Sequence, residues 1–144
     1  MRNGTNIITE YITLSSKGEN EITDITDEVK TKLNESKLKD GIVTIFVVGS
    51  TAAITTIEYE PGLQQDFPDM LERIAPKDYR YMHDDTWHDG NGHSHVKASL
   101  IGPSLTIPFV ESELSLGMWQ QIVFLELDTR GRNRKIIVQL IGSK

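Results

Sequence analysis

Nine residues that begin and end in glycine, Gly41 to Gly49 (GIVTIFVVG), do most to limit the fold of this chain. An almost unbroken apolar run of this kind reads as a central strand buried on both faces. The rest of the chain must then supply its neighbours. Residues 5–14 (TNIITEYITL) are β-branched and partly alternating, which predicts a strand. So do 53–60, 104–110, 119–128 and 135–141, the third of these with clear alternation in WQQIVFLELD. Two segments carry helical spacing instead. Ile22, Ile25, Val29, Leu33 and Leu38 recur across 22–39, with Thr26 as a plausible N-cap ahead of Asp27 and Glu28. Pro61 opens a second helix running to about Ala75, with Leu63, Phe67, Met70, Leu71 and Ile74 on one side and Pro68 as an expected kink. About six strands, two or three helices and mostly sequential strand pairs predict an α+β fold with a largely antiparallel sheet.

The 144 residues suit one domain with one core, spanning 1–144, and there is no repeat or linker. The balance of 15 Lys and Arg against 21 Asp and Glu argues against a nucleic-acid grip. No stretch approaches the length of a membrane helix, and Met1 to Thr13 lacks the apolar run of a signal peptide. The expected location is therefore the cytoplasm. The absence of cysteine excludes disulfides, thiolate metal sites and cysteine nucleophiles. Any metal must be held by nitrogen and oxygen.

Between the second helix and the fourth strand, apolar periodicity vanishes. Residues 76–94 read PKDYRYMHDDTWHDGNGHS. A polar loop of that length inside a compact domain is usually functional or disordered, and Tyr81 and Trp87 favour order. All four histidines of the chain, His83, His88, His93 and His95, fall in or just after this stretch, with Asp84, Asp85, Asp89 and Asn91 among them. Neutral imidazoles are good ligands for zinc and similar divalent ions, and carboxylates can complete the shell or orient a ring. An extended 93–95 segment would put His93 and His95 on one side. A helix would turn them apart, so that only one could bind.

Other candidates lie outside the loop. Alternation puts Thr56 and Glu58 on one strand face, where Glu58 is either a base or ligand or a plain surface carboxylate. Gly102-Pro103-Ser104 reads as a turn, either a plain one, the favoured reading, or one whose hydroxyl holds an anion. Arg130, Arg132 and Arg134 occur at every second position, and an extended backbone would align them as a phosphate- or carboxylate-binding face unless they only guard a sheet edge. With Asp128 the sole acid noted nearby, the three guanidiniums require something to neutralise them. Trp119 is expected in the core or at a subunit interface.

HDGNGHSHVKASLIGPSLTIP (88–108), LSLGMWQQIVFLELD (114–128) and Arg132-Asn133-Arg134 together resemble the YjbQ family, also called UPF0047, over almost the whole chain. The resemblance implies an α+β homotrimer with a weak secondary thiamine-phosphate synthase activity. It aligns the family's loop histidines with His95, ahead of Val96-Lys97-Ala98-Ser99, and with His83. The third family histidine, which precedes a Thr-Thr-Ala or Thr-Ser-Ala stretch, corresponds to Gly49 before Ser50-Thr51-Ala52, and His88 is the candidate to replace it. The family's Asn-Glu pair is Ile57-Glu58 here, and its arginines correspond to Arg132 and Arg134 in a segment one residue longer.

These readings lead to one expected site. His83, His88 and His95 hold a divalent metal, zinc foremost. Lys97, Ser99, Arg132 and Arg134 hold the anion of a small phosphorylated metabolite. Glu58 or Asp84 serves as base or orients water. The expected reaction joins a phosphorylated thiazole to a pyrimidine pyrophosphate. The alternatives are a metal-dependent hydrolase of a small phosphorylated metabolite, a non-catalytic trimeric protein binding a metal or phosphate metabolite, and a purely structural metal.

Overall fold

The computed structural model describes residues 4–144. In chain order the elements are β1 (Thr5–Ser15), β2 (Glu21–Asp24), α1 (Thr26–Ser36), β3 (Asp40–Val48), β4 (Ala52–Ile57), α2 (Pro61–Ile74), α3 (Met82–Trp87), α4 (Gly92–Ile101), β5 (Ser104–Val110), β6 (Glu113–Leu114), β7 (Gln121–Glu126) and β8 (Asn133–Ser143). The strands form a five-stranded sheet, ordered β1-β8-β3-β5-β6, and a three-stranded sheet, ordered β2-β7-β4. Every pairing is antiparallel. This is an α+β domain, as the pattern of elements predicts.

The two sheets face each other across the main core. Val43, Ile45, Val47, Ile107, Phe109, Ile136, Val138 and Leu140 come from the larger sheet, and Ile54, Ile122 and Phe124 from the smaller. Helix α1 fills one side of this layer with Val29 and Leu33. A second cluster lies on the far face of the small sheet. There Leu71 of α2 and Ala98 of α4 pack on Ala53, Val123 and Leu125.

This layering corrects the opening expectation. Strand β3 is central, but only one of its faces is covered; Ile42, Phe46 and Val48 on the other face are exposed. The strand buried on both faces is β7, whose Ile122 to Glu126 are all buried between the large sheet and the two helices. Trp119 stands before that strand and is exposed rather than in the core.

Local chemistry explains the other departures. Ile22 belongs to β2, paired with Leu125, so α1 starts later than the apolar spacing suggests. The capping carboxylate is Asp24, whose Oδ1 accepts from the Thr26 N–H at 2.9 Å and the Thr26 hydroxyl at 2.6 Å. The same Thr26 oxygen accepts from the Ile122 N–H at 2.8 Å, tying α1 to β7. In α2, Glu60 caps the first turn, accepting from the Gly62 and Leu63 N–H groups at 2.8 and 2.6 Å. The helix runs through Pro68 without a break. The polar loop contains the short helix α3, and its last residues open α4, which runs on to Ile101.

Candidate active-site cleft

Two crossings between the sheets lie side by side at one end of the sandwich. Residues 49–51 leave β3 in the large sheet and enter β4 in the small one. Residues 127–132 leave β7 and return to β8 in the large sheet. The Leu127 N–H donates to the Thr51 carbonyl at 3.0 Å and holds the crossings together. Helices α3 and α4 close over them. The result is a cleft of about 390 Å³ lined by Gly49, Ser50, Thr51, His83, Trp87, Asp89, Asn91, His95, Asp128, Arg132 and Arg134.

The α3–α4 corner sets the imidazoles. Asp84 accepts from the Gly92 N–H at 2.9 Å, holding the first turn of α4 against α3. Gly92 has to be bare, because a Cβ there would come within 2.5 Å of the Tyr81 Cβ. Since 92–101 is helical, His93 and His95 diverge, the second of the two outcomes that the sequence left open. His95 meets His83 with ring centroids 4.3 Å apart. Burial, followed by the proximity of His83, holds the His95 imidazole below its usual pKa and keeps it neutral near pH 7. His93 turns into the protein, where its Nδ1 lies 3.3 Å from Lys97 Nζ. Its Nε2 is 3.4 Å from Glu19 Oε1, within ion-pair reach but not aligned as a hydrogen bond.

Acids and arginines alternate beneath the rings. Asp128 accepts from the Thr51 hydroxyl at 3.0 Å and from Arg132 Nε at 2.9 Å. Glu126, wholly buried, accepts from Arg134 Nε at 2.9 Å. The arginines are thus neutralised inside the chain by Asp128 and Glu126. Arg130, in the turn, lies outside the cleft lining. The Asn91 amide reaches between two carboxylates, Asp89 on the side where it lies 3.0 Å from His83 Nε2 and Asp128 on the other, 3.4 Å from Oδ1. Rotated to face His83, its nitrogen also donates to Asp89 at 2.9 Å. The nitrogen serves one side at a time, so acceptors outnumber donors here.

Several expected site residues stand elsewhere. His88 caps the end of α3 with φ +57° and is exposed, outside the cleft lining. It does not fill the place of the third family histidine. Glu58 follows the far end of β4; Thr51, just before the strand, lines the cleft, and six residues of strand span about 20 Å. Asp84 is engaged as the α4 cap. Lys97 is 2% exposed and pairs with Glu72 Oε1 at 3.0 Å, tying α4 to α2 rather than binding an anion in the cleft. Ser99 is exposed on α4, also outside the lining. His83, His95, Arg132 and Arg134 are the expected residues that the cleft unites. Glu126 and Asp128 are acids set two apart at the end of an apolar strand, and that signal was there to be read.

The family profile described as UPF0047 protein YjbQ-like matches residues 10–143. The chain belongs to the YjbQ-like UPF0047 family. UPF0047 protein MJ1081 of Methanocaldococcus jannaschii is 38% identical over 125 residues, 86% of this chain and 87% of that protein. UPF0047 protein YjbQ of Salmonella typhimurium is 33% identical over 120 residues, 82% of this chain and 86% of that one. Among solved structures, a YbjQ-like protein of unknown function from Sulfolobus solfataricus P2 is similar with a TM-score of 0.90 and 33% identity, covering 96% of this chain and 99% of that chain. The match to the YjbQ family covers every residue of the cleft named above.

Asp128 supplies a pH test of this YjbQ-type cleft. Burial raises its carboxyl pKa, but hydrogen bonds from the Thr129 N–H, Thr51 and Asn91, with the charge of Arg132, outweigh burial and hold it below the ordinary 3.8. A depressed folded-state pKa adds stability that is complete above the unfolded value and lost as pH falls through the folded one. Asp128→Asn is therefore expected to be less stable than the parent at pH 7, with the gap closing below about pH 4. Urea unfolding at several pH values checks this; a gap that widens in acid would refute it.

Proposed function

We propose that the cleft is the active site of a cytoplasmic, metal-assisted enzyme that acts on a small phosphorylated metabolite. The observation that carries this reading is the meeting of two imidazoles, His83 and His95, with the acids Asp89 and Asp128 and the guanidinium of Arg132 in one polar cleft.

The donor set suits a divalent cation of zinc's type: two imidazoles, one held neutral, and an acceptor-rich surround in which Asn91 cannot satisfy both sides. His83 and His95 would hold it, with Asp89 beside them. Among the described residues no three His, Asp or Glu side chains form a complete shell, so water or a substrate oxygen would supply the remaining positions. Such an ion supplies Lewis acidity toward a phosphoryl oxygen. The chain's own residues do the rest. Arg132, fixed by Asp128, presents positive charge to the departing or transferred phosphate, and Asp128 is held ionised by its hydrogen bonds. Trp87, exposed at the rim, offers an aromatic face for a heterocycle. A thiazole nitrogen displacing pyrophosphate from a pyrimidine carbon, the activity the resemblance implies, would use these groups.

One observation favours a second reading. Glu58 is remote and Asp84 is a helix cap, so neither expected base faces the cleft. A non-catalytic homotrimer that binds a phosphorylated metabolite needs no base. Exposed Ile7, Tyr11, Ile42, Phe46 and Val48 on the outer face of the large sheet are apolar surface that a second copy could cover.

The test is metal content per chain in untagged protein and in His95→Ala. Near-stoichiometric metal in the parent, lost in a variant of unchanged circular dichroism, is expected. A parent that stays metal-free after reconstitution with zinc would overturn the metal-assisted reading. Turnover of a phosphorylated thiazole with a pyrimidine pyrophosphate then separates enzyme from binding protein.

A further inference from the structure

We infer that the phosphoryl group sits on the tripeptide Gly49-Ser50-Thr51, in an anion nest completed by the inner edge of Arg134. This rests on the reading of the cleft as a phosphorylated-metabolite site and gives the phosphate a place within it.

Three observations converge. The first is backbone. Gly49 to Thr51 lie between β3 and β4, and among the described residues none of their three N–H groups has a partner within the chain. Consecutive free N–H groups lining a concave surface are the donor array that binds oxoanions. The second is Arg134. It is 7% exposed, and its hydrogen bonds use Nε and Nη2: Nε donates to Glu126, and Nη2 to Glu126 and to the Thr51 hydroxyl at 2.9 Å. Nη1 has no partner among the described residues and points at Gly49, where a Cβ would come within 2.6 Å of it. The third is Gly49 itself, at φ +140°, a conformation that L side chains rarely adopt. Without a side chain at that position, Gly49 is a window through which a buried, charge-paired guanidinium shows one N–H edge to the cleft.

The site thus offers backbone N–H groups, the Ser50 hydroxyl, Arg134 Nη1 and, across the cleft, Arg132. Those donors suit the three terminal oxygens of a phosphate monoester or the end of a diphosphate. A side chain at position 49 would press on Arg134 Nη1 and displace that edge of the guanidinium.

The probe is inorganic phosphate, titrated into the ¹⁵N-labelled full chain and followed by amide resonances, with affinity from calorimetry. The expected result is saturable binding in which the Gly49, Ser50 and Thr51 amide protons move downfield on one curve. Gly49→Ala is expected to weaken phosphate by about tenfold or more, the size of a lost charge-assisted hydrogen bond. Arg130→Ala, outside the cleft, is expected to leave it unchanged. If Gly49→Ala does not fold, the parent's amide shifts decide alone. Phosphate that binds while the 49–51 amides stay still overturns the nest and leaves the proposed function standing. No phosphate binding by the parent overturns both.

Discussion

Glu126→Ala is expected to lower the free energy of unfolding by about 3–5 kcal/mol, the usual result of stranding a buried charge. Glu126 is fully buried and Arg134 nearly so. The carboxylate accepts from Arg134 Nε at 2.9 Å, from the Asp128 N–H at 3.1 Å and from the Ser16 hydroxyl. Its removal leaves the Arg134 guanidinium without its counter-charge and the Asp128 N–H without a partner at the junction of the two sheets. At about 2–4 °C per kcal/mol for a chain of this size, the midpoint of thermal unfolding should fall by about 10 °C. Removing both charges, as in Glu126→Leu with Arg134→Met, should recover much of that loss, because two apolar side chains of similar volume strand no charge. Urea unfolding measures all three proteins. A single variant that loses less than about 1 kcal/mol would show that the pair is hydrated and does not form the cleft's rigid floor.

Phe124→Ala and Phe46→Ala should differ sharply although they replace the same side chain in two apolar strands. Phe124 lies in β7 and is fully buried between the sheets. Truncation there should cost about 3–5 kcal/mol, from lost transfer energy and the cavity left behind. Phe46 is 39% exposed on the outer face of the large sheet. Its truncation should cost the isolated chain under about 1.5 kcal/mol, since much of that surface is already in water. If the proposed trimer covers this face, Phe46→Ala should instead shift the assembly: light scattering should give three chain masses for the parent and smaller species for the variant as protein is diluted. A parent of one chain mass at every concentration would refute the trimer. Equal costs for the two variants at all concentrations would refute the burial assigned to β3 and β7.

The strands, the two main helices and the α+β class were legible because period-two and helical spacing are local properties. So was the special character of 76–94, where the spacing disappears. The misreadings have one cause. GIVTIFVVG carries apolar residues on both faces of β3, and apolarity does not say whether the second face meets the same chain, another copy or water. WQQIVFLELD looks half-polar, yet its end is buried because Glu126 and Asp128 are satisfied by Arg134 and Arg132. A polar residue with a buried partner is indistinguishable in sequence from one facing solvent.

The sequence by itself determined the class of fold, the helices' apolar faces, the lack of thiol chemistry and the concentration of imidazoles before Lys97. Its spacing also limited the histidines: once 92–101 is helical, His95 and His93 must part. Only the tertiary structure decided which imidazole faces the cleft, that His88 and Glu58 are outside it, and that Gly49 lies against Arg134. Those choices depend on bringing residues 49–51, 83–95 and 126–134 together. Antiparallel register and the packing of α4 on β4 set that meeting, and no periodicity within one segment reports on contacts made across so much chain.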